Sequence, residues 1–91
     1  MNTFDIIYPK DKEAGQFMKK YYEILKDLRE DNDKTQAQIA EVLKITRPQY
    51  QLYESGKRQF KLEHIYKLCL YYNVSADYVL GLPEELNYPK R

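Results

Sequence analysis

An all-α fold follows from three features of the 91-residue sequence. Apolar residues recur at helical spacing, first through Tyr21, Ile24, Leu25 and Leu28, later through Ile65, Leu68, Cys69 and Tyr72. Two helix starts carry the same signature, Thr35 with Gln38 and Thr46 with Gln49. In each, a hydroxyl caps the first turn and a glutamine three residues on answers it. No stretch of the central chain alternates convincingly with the period of two that a half-buried strand needs.

Residues 1–10 are set apart as an N-terminal arm. Phe4, Ile6, Ile7 and Tyr8 make it too apolar for a solvated tail, and Pro9 ends the run. Two readings fit: an arm folded over its own domain, or a pairing element that helps to make a dimer, since an unpaired apolar strand seeks a partner. Asp11 then caps a long helix to about Asp31. Its apolar stripe runs through Phe17, Tyr21, Ile24, Leu25 and Leu28, Gly15 weakens its first turns, and Asn32-Asp33 ends it.

Thr35 opens the second helix, with Ile39, Ala40 and Leu43 on its apolar face. Lys44-Ile45 is a break. Thr46 opens the third helix, which turns Tyr50 and Tyr53 inward, leaves Arg47, Pro48, Gln51 and Leu52 outward, and stops at Ser55-Gly56. A basic loop covers Lys57 to Lys61. The fourth helix has Leu62, Ile65, Leu68, Cys69 and Tyr72 as its inward face and ends at Asn73. Ser75 caps a short fifth helix from Ala76 to about Leu80, with Gly81 as its stop. Residues 11–82 thus form one domain, and residues 83–91 read as a partly ordered tail.

Composition narrows the function. The net charge is only +1, yet residues 34–61 hold six Lys/Arg against two Asp/Glu. The positive field therefore sits on the second and third helices and the loop after them, where it can meet phosphates. The single cysteine, Cys69, fits a reducing compartment. No apolar run is long enough to cross a bilayer, and the N-terminus lacks a signal-peptide layout, so a cytoplasmic location is expected. His64 stands alone, with no second ligand at metal spacing, and is expected to face solvent or pack partly. Cys69 has no histidine partner and reads as a small core residue. No clustered acid–base or metal-ligand set marks an enzyme, and neither cofactor nor metal is expected. The ten tyrosines, among them Tyr50, Tyr53, Tyr66, Tyr72 and Tyr78, are read as core and interface material, because phenols fill space while keeping a polar tip.

An ordered set of residues carries a family resemblance. It comprises Leu28-Arg29, Thr35-Gln36, Ile39-Ala40, Leu43, Thr46-Arg47, Tyr53-Glu54, Gly56-Lys57-Arg58, and Asn73-Val74-Ser75 running to Leu80-Gly81. From about Tyr22 to Gly81 the chain resembles the phage-repressor and Cro type of helix-turn-helix domain, the Xre-like regulators. The resemblance implies a five-helix, lambda-repressor-like domain that binds double-stranded DNA sequence-specifically, as a homodimer, in a small bacterial or phage regulator. An alternative on the same fold is a protein-interaction module, such as an antitoxin-like partner of a second protein, with weak or no DNA binding. By resemblance, Gln36 would bond a phosphate through its amide. Arg47 and Pro48 would stand where base edges are read, with Gln51 and Leu52 one turn further on. Ser55, Lys57 and Arg58 would touch phosphates, and Arg29 would pair with Glu54 to lock the third helix against the first.

Three positions depart from the family pattern. Lys44 stands where the turn usually has glycine, and Leu52 where a polar side chain is common. Pro48 disfavours helical backbone at Arg47, so a helix starting at Pro48 itself is a second possibility.

Overall fold

The computed structural model describes residues 19–83, 86–87 and 89. Five helices are present among these residues: α1 (Tyr21–Asp31), α2 (Gln36–Leu43), α3 (Arg47–Glu54), α4 (Leu62–Tyr72) and α5 (Ala76–Leu80). No strand occurs among the described residues. The lambda-repressor-like all-α expectation is met. The arm of residues 1–10, the proposed cap at Asp11, Phe17, and most of the tail lie outside the described residues.

The helix boundaries come from local chemistry. Thr35 Oγ1 accepts from the Gln38 backbone N–H, while the Gln38 side chain accepts from the Thr35 N–H. Thr46 and Gln49 repeat the arrangement at α3. Each box satisfies two backbone donors that a helix start would otherwise leave unpaired. Lys44 and Asn73 end α2 and α4 in the left-handed conformation, with φ of 58° at both, and Gly81 closes α5 at φ 74°. Ser75 caps α5 as expected, accepting from the Tyr78 N–H.

Three expectations are corrected. The first helix does not run unbroken from Asp11, because Lys20 is extended (φ −73°, ψ 152°) and α1 starts at Tyr21. The Glu23 carboxylate accepts the Lys20 backbone N–H and fixes that start. Leu62 was placed on the inward face of the fourth helix, yet it is 81% exposed. Helix α4 carries a second apolar stripe, Leu62, Tyr66 and Leu70, and the core takes the other one. His64 is the third correction. It is buried, and its Nδ1 accepts the Lys61 backbone N–H at 3.3 Å, so it serves the start of α4.

The core gathers Leu25, Ile39, Ala40, Leu43, Tyr50, Tyr53, Phe60, Ile65, Leu68, Cys69 and Val79. Helix α1 packs on α3 and α5, α2 on α3 and α4, and α4 on α5. Phe60, read from sequence as part of a basic loop, is buried. Its ring stacks on Tyr53 at 5.2 Å between centroids and meets Tyr50 and Tyr21 edge-on. An aromatic cluster of this kind adds about 0.5–1.5 kcal/mol per pair beyond area burial. The tyrosines divide accordingly: Tyr50 and Tyr53 are in the core, Tyr72 is half-buried, and Tyr66 and Tyr78 are exposed.

Candidate nucleic-acid interface

Helix α3 opens at Arg47, with Thr46 as its cap and Pro48 as its second residue. The alternative start at Pro48 is therefore not adopted. Proline is tolerated there because the first N–H groups of a helix have no intrahelical acceptor. Burying Tyr50 and Tyr53 turns Arg47, Pro48 and Gln51 to solvent, with Leu52 half-buried beside them.

The orientation of α3 is held at its far end by Glu54. This carboxylate is 5% exposed and accepts four hydrogen bonds. Arg29 donates two, from Nε to Oε2 at 2.7 Å and from Nη2 to Oε1 at 3.0 Å. The Tyr50 hydroxyl donates to Oε2 at 2.6 Å, and the Gln36 amide donates to Oε1 at 3.0 Å. Arg29 also donates to the Lys34 carbonyl at 2.7 Å, which ties in the link between α1 and α2. One carboxylate thus joins α1, α2 and α3. Burial pushes the Glu54 carboxyl up, but the bonds from Arg29, Tyr50 and Gln36 outweigh it and hold it below the usual range. The Tyr50 hydroxyl is pushed well up by burial and by the carboxylate it serves.

The Arg29–Glu54 pair therefore forms as the resemblance implies. Gln36 is more constrained than expected. One amide hydrogen is given to Glu54, and the second remains for another acceptor. Ser55 Oγ donates to the Leu52 carbonyl at 3.1 Å, which leaves its lone pairs outward-facing for a donor but commits its proton.

A shallow cleft of about 360 Å³ brings Gln36, Gln51 and Ser55 together, with Lys26, Arg29, Glu30 and Glu54 as its other walls. Lys26 was missed by sequence reasoning. It sits three residues before Arg29, so a helical turn places it on the same side of α1, and that spacing was the available signal. Beyond α3, the Lys57 and Arg58 backbone N–H groups both donate to the Leu52 carbonyl, at 3.1 and 3.2 Å. Their side chains and that of Lys61 are exposed, and none forms an ion pair with another described residue.

Two eight-residue helices joined by a tight turn with a left-handed residue, the second presenting Arg and Gln, form a helix-turn-helix. The Helix-turn-helix family model matches residues 25–79, which contain both helices and the turn. The chain belongs to the Xre/Cro-like helix-turn-helix family. It is similar to the uncharacterized HTH-type transcriptional regulator YobD of Bacillus subtilis (strain 168). The two are 34% identical over 65 residues, 71% of this chain and 58% of that protein. The chain thus spans less than two thirds of the length of that relative. No solved structure matches it. Within this domain α3 is the second helix of the helix-turn-helix, and Glu54 is the residue that anchors it. No described helix is long and apolar enough to cross a membrane, and no metal-binding cluster of His, Cys, Asp or Glu occurs among the described residues.

Proposed function

We propose that this chain binds double-stranded DNA sequence-specifically, as a small regulator in the bacterial cytoplasm, and performs no chemistry on the duplex. The observation that carries the reading is the exposed face of α3, flanked by the exposed cations of Lys57 and Arg58, which form no ion pair among the described residues, and fixed by the Glu54 anchor. Arg47 stands at the start of α3, where a guanidinium can grip guanine O6 and N7 together. Pro48, Gln51 and Leu52 line the rest of the reading face, Leu52 offering apolar contact to a thymine methyl. Gln36 holds a phosphate from the cleft through its second amide hydrogen. Ser55 can join it only by turning its hydroxyl away from the Leu52 carbonyl. Lys57 and Arg58 hold phosphates from the loop. Lys26 joins them on the phosphate side. Two copies would bind as a homodimer, their recognition helices about 34 Å apart and their half-sites about 10 base pairs apart.

The test separates holding DNA from reading it. Lys57→Ala or Arg58→Ala should weaken a selected site and random duplex by similar factors and lower the salt slope by about one unit. Arg47→Ala should cost about 1–3 kcal/mol on the selected site and much less on random DNA. Equal loss on both would make Arg47 a phosphate contact. If none of the three changes alters affinity, the fold serves a protein partner, in the manner of an antitoxin. Sedimentation with and without DNA checks the dimer, and a monomer under both conditions rejects it.

A further inference from the structure

Helices α4 and α5 enclose an open groove of about 590 Å³. Leu62, Tyr66, Cys69, Leu70, Val74 and Leu80 supply its apolar wall, and among the described residues no charged one lines it. Its rim is the most exposed apolar surface described: Leu62 is 81% exposed, Tyr66 and Leu70 are 66%, and Leu80 is 47%. A contiguous apolar patch on a small domain marks a contact site. The DNA-facing residues leave it unused.

We propose that the occupant of this groove is the chain's own segment Phe4–Tyr8, bound in cis. Three observations select it. The segment is Phe-Asp-Ile-Ile-Tyr, four large apolar side chains in five residues, which matches an uncharged groove of the size that takes a few side chains. The described chain begins at the right place. The Phe60 backbone N–H donates to the Tyr21 hydroxyl at 3.2 Å, so the start of α1 lies beside the chain two residues before Leu62, where the groove opens. The ten residues between Tyr8 and Lys19 span up to about 36 Å when extended. That exceeds the roughly 16 Å length of an eleven-residue helix such as α4, so the segment reaches any part of the groove.

Size argues against a second copy as the occupant. The four exposed side chains offer a few hundred Å², short of the about 800 Å² per partner of a standard interface. A tethered segment needs less, because its effective concentration is in the millimolar range and no translational freedom is lost. The proposal is independent of DNA binding.

The full chain tests it directly, with methyl-labelled protein at low micromolar concentration. The leucine methyls of residues 62, 70 and 80 are compared between the natural chain and the triple variant Phe4→Ser, Ile6→Ser, Ile7→Ser. The groove methyls should shift in the variant while those of Leu25, Leu43 and Leu68 hold still. Dye fluorescence from 8-anilinonaphthalene-1-sulfonate should rise several-fold. A synthetic peptide of residues 1–10, added to the variant, should return the methyls to their natural positions. Unchanged groove methyls would overturn the proposal. So would shifts that follow protein concentration, together with a dimer in sedimentation that Leu70→Lys dissociates, because the occupant is then a second copy.

Discussion

Tyr22 lays its ring across Gly56 so closely that a Cβ added there would stand 2.4 Å from the ring Cζ. The backbone of Gly56 is also left-handed, with φ 81°. Residue 56 follows α3 and residue 22 lies in the first turn of α1, so this contact bridges the same two helices that Arg29 and Glu54 join. Gly56→Ala should therefore carry two costs, about 1 kcal/mol for the backbone and about 1–3 kcal/mol for displacing the ring. Urea unfolding of Gly56→Ala in the natural and Tyr22→Ala backgrounds separates them. The steric part should vanish in the second background, and an equal loss in both would show that the ring yields freely.

Stability should fall with acid in two separate steps. Burial pushes His64 below its ordinary 6.5, only partly opposed by Glu63 and helped by Lys61 and Lys67. The unfolded chain then binds a proton that the fold refuses, so this contribution is full above about pH 6.5 and is lost as pH falls through the folded-state value. Glu54 is likewise held below its ordinary 4.5, so its contribution is full above that value and is lost on further acidification. His64→Gln keeps an acceptor for the Lys61 N–H and should remove the upper step alone. Chemical unfolding from pH 8 to pH 3.5 reads both, and an unchanged upper step in His64→Gln would assign it elsewhere.

The turn of the helix-turn-helix is built on Lys44 with φ 58° and ψ 42°. A side chain in that conformation costs about 1 kcal/mol, and glycine removes the cost while giving the unfolded chain more freedom. The Lys44–Glu41 pair at 3.1 Å is exposed on both sides, so it adds little. Lys44→Gly should thus lie between no change and about 1 kcal/mol of stabilisation. Loss of more than about 1 kcal/mol in urea would contradict this account of the turn.

The hydroxyl of Tyr72 is buried without a hydrogen-bond partner among the described residues. Its ring meets Tyr71 edge-on at 5.1 Å. Removing only the hydroxyl, by Tyr72→Phe, keeps the ring and relieves an unpaired polar group worth about 1–3 kcal/mol. A rise in thermal midpoint is the expected result, and a fall would show that the hydroxyl is bonded in solution.

What could be read from sequence was what neighbours in sequence decide. Both capping boxes, the stops at Asn73 and Gly81, and the inward turn of Tyr50 and Tyr53 depend on residues three or four apart, and all formed. Leu62 was misplaced because α4 has two apolar stripes, and only the positions of α2 and α5 select the one through Ile65 and Leu68. Phe60 and His64 were hidden for a related reason. Charged neighbours surround them, and their burial depends on Tyr21 and Tyr53, which approach from other helices. Of the site, the exposed face of α3 was legible, and the Arg29–Glu54 pair came through resemblance. The further bonds of Tyr50 and Gln36 to the same carboxylate were not foreseen.

An eight-residue helix is too short to persist by itself in water. With Glu54 bonded from both neighbouring helices, the amides of α3 should exchange with solvent only when the whole domain opens, not by local fraying. Such a surface reaches a ligand already ordered, and none of the contact energy is then spent on ordering it. Differences between one duplex and another would be expressed in full, chiefly in how long each complex lasts.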